Sequence, residues 1–238
     1  MEDGCRALYL GPELPSQLKH LASLTWVKAL EIVPLNQGLS EVPKLVESGH
    51  YDCIAVTSPR AAALVKAYID RLPYNVKVYA VGPATAKSMT ELFGLSPTVP
   101  SEFTTGALGL KIVEDGCRRV LTFRSSDGDD ELEVTLRSRG VEVTRLNIYK
   151  EVFRPEALPQ ICNNYDVVIA SSRVIAEGVC LKIGSEISGG ADCNVTLVAI
   201  GPKAAAAVKS ACPSLRLIAA SEHTFNAISG ILKSLGCR

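Results

Sequence analysis

The chain contains a repeated pattern in which a Tyr-Asp pair opens an apolar run that ends in Ser-Pro or Ser-Ser and leads into an amphipathic stretch. The first copy, YDCIAVTSPRAAALVKAYI, begins at Tyr51, and the second, YDVVIASSRVIAEGVCLKI, begins at Tyr165. A short apolar run bounded by turn residues is typical of a buried strand in a parallel sheet. A strand–helix unit that occurs twice predicts two related α/β halves.

Two further segments recur at nearly the same distance. Gly82 in YAVGPATAKSM precedes Gly201 in VAIGPKAAAAV by 119 residues, and Ser101 in PSEFTTGALGLKI precedes Ser221 in ASEHTFNAISGIL by 120. The two Tyr-Asp copies are 114 residues apart. The three offsets agree to within small insertions, so the repeat covers whole structural units.

A fourth match, DGCRALYL at Asp3 and DGCRRVLTF at Asp115, is offset by 112 residues. The chain therefore divides into four segments in the order A, B, A′ and B′, which cover about 5–34, 51–111, 117–149 and 165–236. One A and one B together supply five strands, as in a flavodoxin-like half. The residues leave open which A pairs with which B. The connectors NQGLSEV and KEVFRPEALP are each compatible with an ordinary loop or with a crossing between domains.

Ten strand candidates alternate with amphipathic stretches along the chain. Such alternation predicts parallel sheets, because a parallel crossover is normally a helix. Ten strands are close to the practical limit for one twisted sheet, so two sheets of five are favoured. The candidates are 5–10, 27–33, 52–57, 76–81, 97–99, 118–123, 141–149, 166–170, 195–200 and 215–219.

The composition excludes several classes of protein. Twenty-five Lys and Arg balance 25 Asp and Glu, which gives no electrostatic support for binding nucleic acid or an anionic membrane. No apolar run reaches the ~18 residues of a membrane span. The start of the chain, MEDGCRALYL, resembles neither a signal peptide nor a transit peptide. We expect a cytoplasmic protein, or a plastid protein if a transit segment has been removed.

The cysteines give no sign of a metal site or a disulfide framework. No two are close enough for a CxxC pair, and the three His residues are isolated. We therefore expect reduced, mostly buried thiols and no metal. The eight are Cys5, Cys53, Cys117, Cys162, Cys180, Cys193, Cys212 and Cys237.

The repeated motifs fall where a strand ends and a helix begins. Helix N-termini carry free N–H groups and partial positive charge, and in an open α/β sheet they meet at the edge where ligands bind. Together with nearby Arg60, Arg124, Arg173 and Lys203, they predict a large ligand with many carboxylates. Each Ser-Pro taken alone is also an ordinary helix cap, and each Arg an ordinary surface charge. Phosphate-binding glycine loops are absent, so nucleotide binding has no support.

Six segments together resemble the uroporphyrinogen-III synthase family: YDCIAVTSPRA, VYAVGPATAKSM, SEFTTGAL, RSRGVEVTRLNIYK, YDVVIASSR and VAIGPKAAAAV. The resemblance implies two flavodoxin-like domains, each a five-stranded parallel sheet flanked by helices, joined by a two-stranded linker. It places 1–36 with 152–238 in one domain and 40–149 in the other, with linkers near 35–40 and 148–153.

The resemblance also implies a cofactor-free lyase of heme biosynthesis. Its substrate is hydroxymethylbilane, a linear tetrapyrrole with eight carboxylates. The enzyme removes water, inverts the terminal D ring through a spiro intermediate and closes the macrocycle to uroporphyrinogen III in an interdomain cleft. A monomer is expected, with hydroxymethylbilane synthase as the upstream partner and no nucleic acid or membrane partner.

Site residues follow from the same resemblance. Tyr149 in LNIYK is the candidate acid for the departing hydroxyl. The chain departs from the family at Lys203 and Ala204, because some members carry hydroxyl side chains after the Gly-Pro of this turn. The candidates for substrate binding are Ser58, Arg60, Gly82, Thr85, Ser101, Thr104, Arg124, Ser171, Arg173, Gly201, Lys203 and Thr224.

Two other functions stay open from the residues alone. Two α/β lobes around a hinge are also the plan of non-catalytic small-molecule binding or sensor proteins. A degenerate synthase retained as an interaction module is the other alternative. A phospho-receiver is disfavoured, because TSPR and SSR stand where an Asp would be needed.

Overall fold

A computed structural model describes residues 4–237 of the chain. Asp3 of the DGCR repeat, and both ends of the discontinuous domain expected from the sequence, lie outside these residues. The chain divides into two compact units. Unit 1 contains the residues up to Ile32 and those from Val152 onward, and unit 2 is Val33–Glu151.

Strands and helices alternate along most of the described chain. The strands are β1 (Ala7–Leu10), β2 (Leu24–Val27), β3 (Leu30–Pro34), β4 (Cys53–Val56), β5 (Lys77–Ala80), β6 (Arg119–Ser125), β7 (Glu142–Phe153), β8 (Val167–Ala170), β9 (Thr196–Ala199) and β10 (Arg216–Ala219). The helices are α1 (Asn36–Glu47), α2 (Pro59–Lys66), α3 (Pro83–Phe93), α4 (Thr105–Glu114), α5 (Glu131–Ser138), α6 (Arg173–Ser188), α7 (Pro202–Ala211) and α8 (Phe225–Ser234).

Unit 1 is built on a parallel sheet with the strand order β10-β9-β8-β1-β2. Alternate residues of β1 enter two different cores. Leu8 and Leu10 pack with the residues of α6 and α7, whereas Ala7 and Tyr9 pack with those of α8. Both faces of the sheet are therefore covered, which explains why its central strands are apolar throughout.

Unit 2 contains the sheet β3-β7-β6-β4-β5. On one face Cys53 and Ala55 of β4 pack against Leu108 of α4 and Leu132 of α5. The alternate residue of β4, Ile54, is also buried. The residues thus form an α/β fold with two parallel-dominant sheets, as the strand–helix alternation predicts.

Two strand predictions need correction. The run 27–33 is not one strand, because the chain turns after β2, where the N–H of Ala29 donates to the carbonyl of Val27 at 2.9 Å, and then enters β3. The run 97–99 forms only an isolated parallel bridge between Tyr79 and Thr98. In unit 2 this bridge is beside β5. By the internal repeat, its position corresponds to that of β10 beside β9 in unit 1.

Two helical assignments also differ from expectation. The strand–helix alternation predicts a β-α-β order for segment A, about 5–34, but after its first strand this segment has only a short 3-10 helix, Ser16–Leu18. The connector NQGLSEV opens α1 and is not a loop. Leu39, Val42 and Val46 of this helix are buried, so the burial of an apolar stripe outweighs the unfavourable Pro43 within it.

The Tyr-Asp repeat has a structural explanation at the amino ends of the strands. The carboxylate of Asp52 accepts the backbone N–H groups of Arg118 and Arg119 at 3.0–3.2 Å, next to β6. Asp166 accepts the backbone N–H of Arg6, next to β1, at 2.7 Å. In both units the aspartate therefore fixes the start of the neighbouring strand.

The prediction that the cysteines are reduced is wrong, whereas the prediction that most of them are buried is confirmed. All eight cysteines are joined in four disulfide bonds: Cys5–Cys237, Cys53–Cys117, Cys162–Cys193 and Cys180–Cys212. The partners are 31 to 232 residues apart in sequence, so a search for closely spaced pairs could not find them. They meet because the fold brings neighbouring strands and helices together within one unit.

No helix in residues 4–237 is both long and apolar enough to span a lipid bilayer.

Candidate functional site

The carboxyl end of the unit 2 sheet brings a serine and a tyrosine together. Ser58 precedes α2, and its hydroxyl oxygen accepts the backbone N–H of Ala61 at 3.0 Å, as expected for an N-cap. The same hydroxyl shares a hydrogen bond of 2.9 Å with the phenol of Tyr149 on β7. The strand and the helix N-terminus are thus connected through one side chain.

A second contact of the same kind lies two residues further along both elements. Arg60, in the first turn of α2, donates to the carboxylate of Glu151 on β7 at 3.2 Å. Only 16% of the Glu151 side chain is exposed. The backbone N–H of Glu151 donates to Asp127, in the loop after β6, at 2.7 Å. Tyr149 and Glu151 are i and i+2 of one strand, so they share a face.

Burial changes the acidity of both β7 side chains. Loss of solvation raises the pKa of the Tyr149 phenol above its ordinary value of 10.0, while the hydrogen bond from Ser58 opposes this change. Burial likewise raises the pKa of Glu151; the positive charge of Arg60 lowers it, and the negative charge of Asp127 raises it further. The site therefore contains a carboxyl group that accepts a proton more readily than usual.

The other candidates of unit 2 lie at the starts of α3 and α4. The ring of Phe103 packs on Gly82, the residue before α3. Thr104 caps α4, and its side-chain oxygen accepts the N–H of Ala107 at 3.1 Å. Ser101 is exposed, whereas Thr85 is 3% exposed. The burial of Thr85 favours a packing role within the helix.

Arg124 lies in a different environment from the one expected of a substrate-binding residue. Its side chain is 3% exposed and forms an ion pair with Glu133, which is 1% exposed. Its guanidinium also donates to the carbonyl of Asp129 at 2.8 Å. These contacts occupy the guanidinium and position the loop after β6. These contacts account for the burial of Arg124, and its role in substrate binding stays a prediction.

Unit 1 repeats the capped helix starts of unit 2. Ser172 caps α6, and its oxygen accepts the N–H of Ile175 at 3.3 Å. Thr224 caps α8 in the same way, through the N–H of Ala227 at 3.2 Å. The predicted residue Ser171 lies one position before the cap and is partly buried.

The remaining candidates of unit 1 are at the starts of α6 and α7. Gly201 precedes α7, and the ring of His223 packs on it as Phe103 packs on Gly82. Arg173 pairs with Glu177 in its own helix at 3.2 Å. Lys203 is exposed in the first turn of α7.

In each unit, three of the helix N-termini that follow the carboxyl ends of strands carry the repeated sequence motifs. These belong to α2, α3 and α4 in unit 2, and to α6, α7 and α8 in unit 1. Because the first N–H groups of a helix have no partner inside the helix, each start can bind an anionic group.

One group of metal-binding side chains lies close together among residues 4–237, namely Asp52, Cys53 and Cys117. The two sulfurs form a disulfide bond with each other. A disulfide sulfur is not the thiolate that binds metal ions, so this group does not form a metal site in the oxidised protein.

Comparison with known proteins gives the same family as the sequence motifs. The family model for uroporphyrinogen-III synthase HemD matches residues 25–229. A solved structure of uroporphyrinogen-III synthetase from Helicobacter pylori is similar, with 14% identity, a TM-score of 0.65 and coverage of 97% of this chain and 99% of that chain. The structure of a mutant uroporphyrinogen III synthase from Thermus thermophilus is also similar, with 15% identity, a TM-score of 0.62 and coverage of 97% of this chain and 98% of that chain. No curated protein sequence matches the chain. The solved structures support the fold, and the family model shows that the chain belongs to the uroporphyrinogen-III synthase family.

Proposed function

We propose that this protein is a lyase that converts hydroxymethylbilane into uroporphyrinogen III with loss of one water. The observation that carries this proposal is the family match over residues 25–229. The finer description of each unit as a flavodoxin-like domain, with β3 and β7 as the connecting strands, is part of the same proposal.

The substrate carries eight carboxylates, and the helix starts suit them. Ser58 and Thr104 in unit 2, and Ser172 and Thr224 in unit 1, order helix starts whose remaining N–H groups can bind substrate oxygens. Recognition by backbone groups needs few particular side chains. This agrees with the absence of a catalytic triad motif in the sequence.

The reaction requires control of geometry more than strong acid or base catalysis. Loss of the hydroxyl leaves an azafulvene cation, which also closes spontaneously to the wrong isomer. A protein that fixes the bound chain in a folded conformation favours the attack that inverts ring D over simple closure. Tyr149, oriented by Ser58, is placed to donate a hydrogen bond to the departing hydroxyl.

The proposed activity is tested by supplying hydroxymethylbilane generated enzymatically by hydroxymethylbilane synthase. The products are oxidised to porphyrins, and the isomers are separated by chromatography. The lyase gives the type III isomer, whereas a non-catalytic binding protein leaves the type I isomer of spontaneous closure. We also expect activity to survive chelators and dialysis, and a loss restored by added metal would contradict the cofactor-free mechanism.

A further inference from the structure

We propose that the carboxyl group of Glu151 gives the departing hydroxyl of hydroxymethylbilane its proton, while Tyr149 orients that hydroxyl by a hydrogen bond. This inference rests on the proposed function and adds a catalytic residue to it. Glu151 was not among the candidates from the sequence. The structure places it on the same strand face as Tyr149, largely buried and in contact with the first turn of α2.

The first argument concerns which group is the better acid. A general acid works best when its pKa is near the operating pH. Burial moves the pKa of the Tyr149 phenol further above neutral pH, because this pKa is already 10.0 in water. Burial raises the pKa of the Glu151 carboxyl from its ordinary value of 4.5 and so brings it closer to neutral pH. A buried carboxylic acid is therefore better matched to protonating a leaving group near neutral pH.

The second argument concerns the charges that face Glu151. Arg60 from α2 stabilises the carboxylate, and Asp127 from the loop after β6 destabilises it. Tyr149 is the titratable neighbour on β7 itself, and Arg124 acts on that phenol. In the free protein the ion pair with Arg60 favours the ionised form of Glu151.

The third argument is that the substrate itself can change this balance. Arg60 is 35% exposed at a helix start, so a substrate carboxylate can bind its guanidinium beside Glu151. The added negative charge weakens the electrostatic attraction between Arg60 and the Glu151 carboxylate, and it favours proton uptake by Glu151. Substrate binding would thus convert Glu151 from an ion-pair partner into an acid.

Glu151 alone can supply the proton that the leaving oxygen takes and accept the proton that is lost when the macrocycle closes. The C–O bond breaks with its electron pair on oxygen, the oxygen takes the proton of Glu151, and water leaves. The positive charge that remains is shared with the pyrrole nitrogen. The substituted α-carbon of ring D attacks this cation to give the spiro intermediate, and the bond from that carbon to its original methylene then breaks with its electron pair on ring D, which leaves a second cation. The free α-carbon of ring D bonds to this methylene, closes the macrocycle and loses its proton, which the Glu151 carboxylate takes back. The net change is the loss of one water.

The main experiment compares Glu151→Gln with Glu142→Gln. Glutamine keeps the shape of Glu151, but its amide is too weak an acid to protonate a leaving group. Glu142 is also on β7, yet it is 60% exposed and pairs with His50. We expect Glu151→Gln to lower kcat for the type III isomer by about 100-fold without raising KM. Glu142→Gln should match the wild type.

A folded Glu151→Gln variant with the wild-type kcat would overturn the inference. The proposed function would survive in that case, because the wild type would still form the type III isomer. A wild type that yields only the type I isomer would instead remove the proposed function, and the role of Glu151 with it. Circular dichroism and the Tm establish that the variant is folded.

A second variant keeps the test valid if Glu151→Gln does not fold. Asp127→Asn retains an oxygen that can accept the N–H of Glu151 but removes the charge that raises its pKa. The acid form of Glu151 would then be lost at lower pH. We expect the alkaline limb of the pH profile of kcat to lie at lower pH in Asp127→Asn than in the wild type. Alkaline limbs that superimpose in the two proteins would contradict the proposal.

Discussion

At the scale of single residues, Ser58 takes part in two interactions that join α2 to β7. Its oxygen caps the helix through Ala61 and also contacts the phenol of Tyr149. Because the cap residue also contacts Tyr149, it fixes the position of the phenol relative to the N–H groups at the start of the helix. An anion bound at this helix start and the Tyr149 hydroxyl therefore have a defined separation.

Replacing Tyr149 tests this arrangement. Tyr149→Phe removes the hydroxyl from a residue that is 4% exposed and keeps the ring that fills the space. We expect kcat to fall about 10-fold or more, the cost of one lost hydrogen bond in the transition state, with little change in the Tm. Initial rates of type III formation provide the measurement.

The matched control is Tyr74→Phe, since Tyr74 is 94% exposed. It should leave both the rate and the Tm unchanged. Unchanged initial rates in Tyr149→Phe would remove Tyr149 from the mechanism.

The buried pair of Arg124 and Glu133 predicts a large effect on stability. Glu133→Gln would remove the closest countercharge of the buried Arg124 guanidinium, a change that costs about 3 kcal/mol. The exposed Glu91→Gln, whose partner is Lys87 in the same helix, should change stability by about 0.5 kcal/mol or less. Urea denaturation measures both, and equal effects would show that the buried pair contributes no more than a surface pair.

The sequence supplied three of the four side chains that meet at the end of β7. Ser58, Arg60 and Tyr149 were predicted from motifs, and the structure brings Ser58 and Tyr149 into contact. Glu151 was missed, although its position two residues after Tyr149 could have suggested a shared strand face. The buried ion pair between Arg124 and Glu133 could not be predicted, because it depends on how α5 packs on β6.

At the scale of elements, the close approach of α1 to β7 is the least predictable contact. A Cβ added at Gly38 would lie 2.0 Å from the backbone carbonyl oxygen of Asn147. The helix can therefore lie on the strand only because this residue has no side chain. From the sequence NQGLSEV is compatible with an ordinary loop, and only the packed structure shows why glycine is required at position 38.

Two glycine substitutions separate this packing effect from helix propensity. Gly38→Ala should destabilise the protein by about 1–3 kcal/mol, because the added methyl group would overlap backbone atoms. Gly184→Ala in α6 meets nothing within 4 Å and should stabilise it by about 0.5–1 kcal/mol through helix propensity. Thermal unfolding distinguishes them, and two changes of the same sign would contradict the proposed contact.

Strand positions were predictable where both faces of a strand are buried. The strands β4 and β9 differ from their predicted ranges by one residue at each end, and β8 differs by one residue at its start only, because a fully buried parallel strand is an apolar run. The runs 27–33 and 97–99 failed for another reason. A tight turn and an isolated bridge depend on neighbouring chain segments, and the local pattern does not contain that information.

At the scale of the whole molecule, the four disulfide bonds are the largest difference from the sequence-based expectation. Each lies within one unit, one in unit 2 and three in unit 1. Disulfide bonds are rare in the reducing cytosol of mesophilic cells but occur in the intracellular proteins of hyperthermophiles. The cytoplasmic location and the monomeric state expected from the sequence stay predictions, as does a ligand site between the domains.

The pairing of the cysteines is directly testable. The native protein, treated with an alkylating reagent without prior reduction, should show no modified cysteine by mass spectrometry. Replacing both Cys5 and Cys237 by Ser should lower the free energy of unfolding by about 2–4 kcal/mol. Modification of all eight thiols in the unreduced protein would show that the bonds do not form.

The Cys5–Cys237 bond joins two residues 232 positions apart, and their Cα atoms lie 4.6 Å from each other. The main chain between them is therefore a covalent ring. A protease that cuts one peptide bond anywhere in this ring opens it without releasing a fragment, so the nicked protein would migrate as one species on a denaturing gel until a reductant is added.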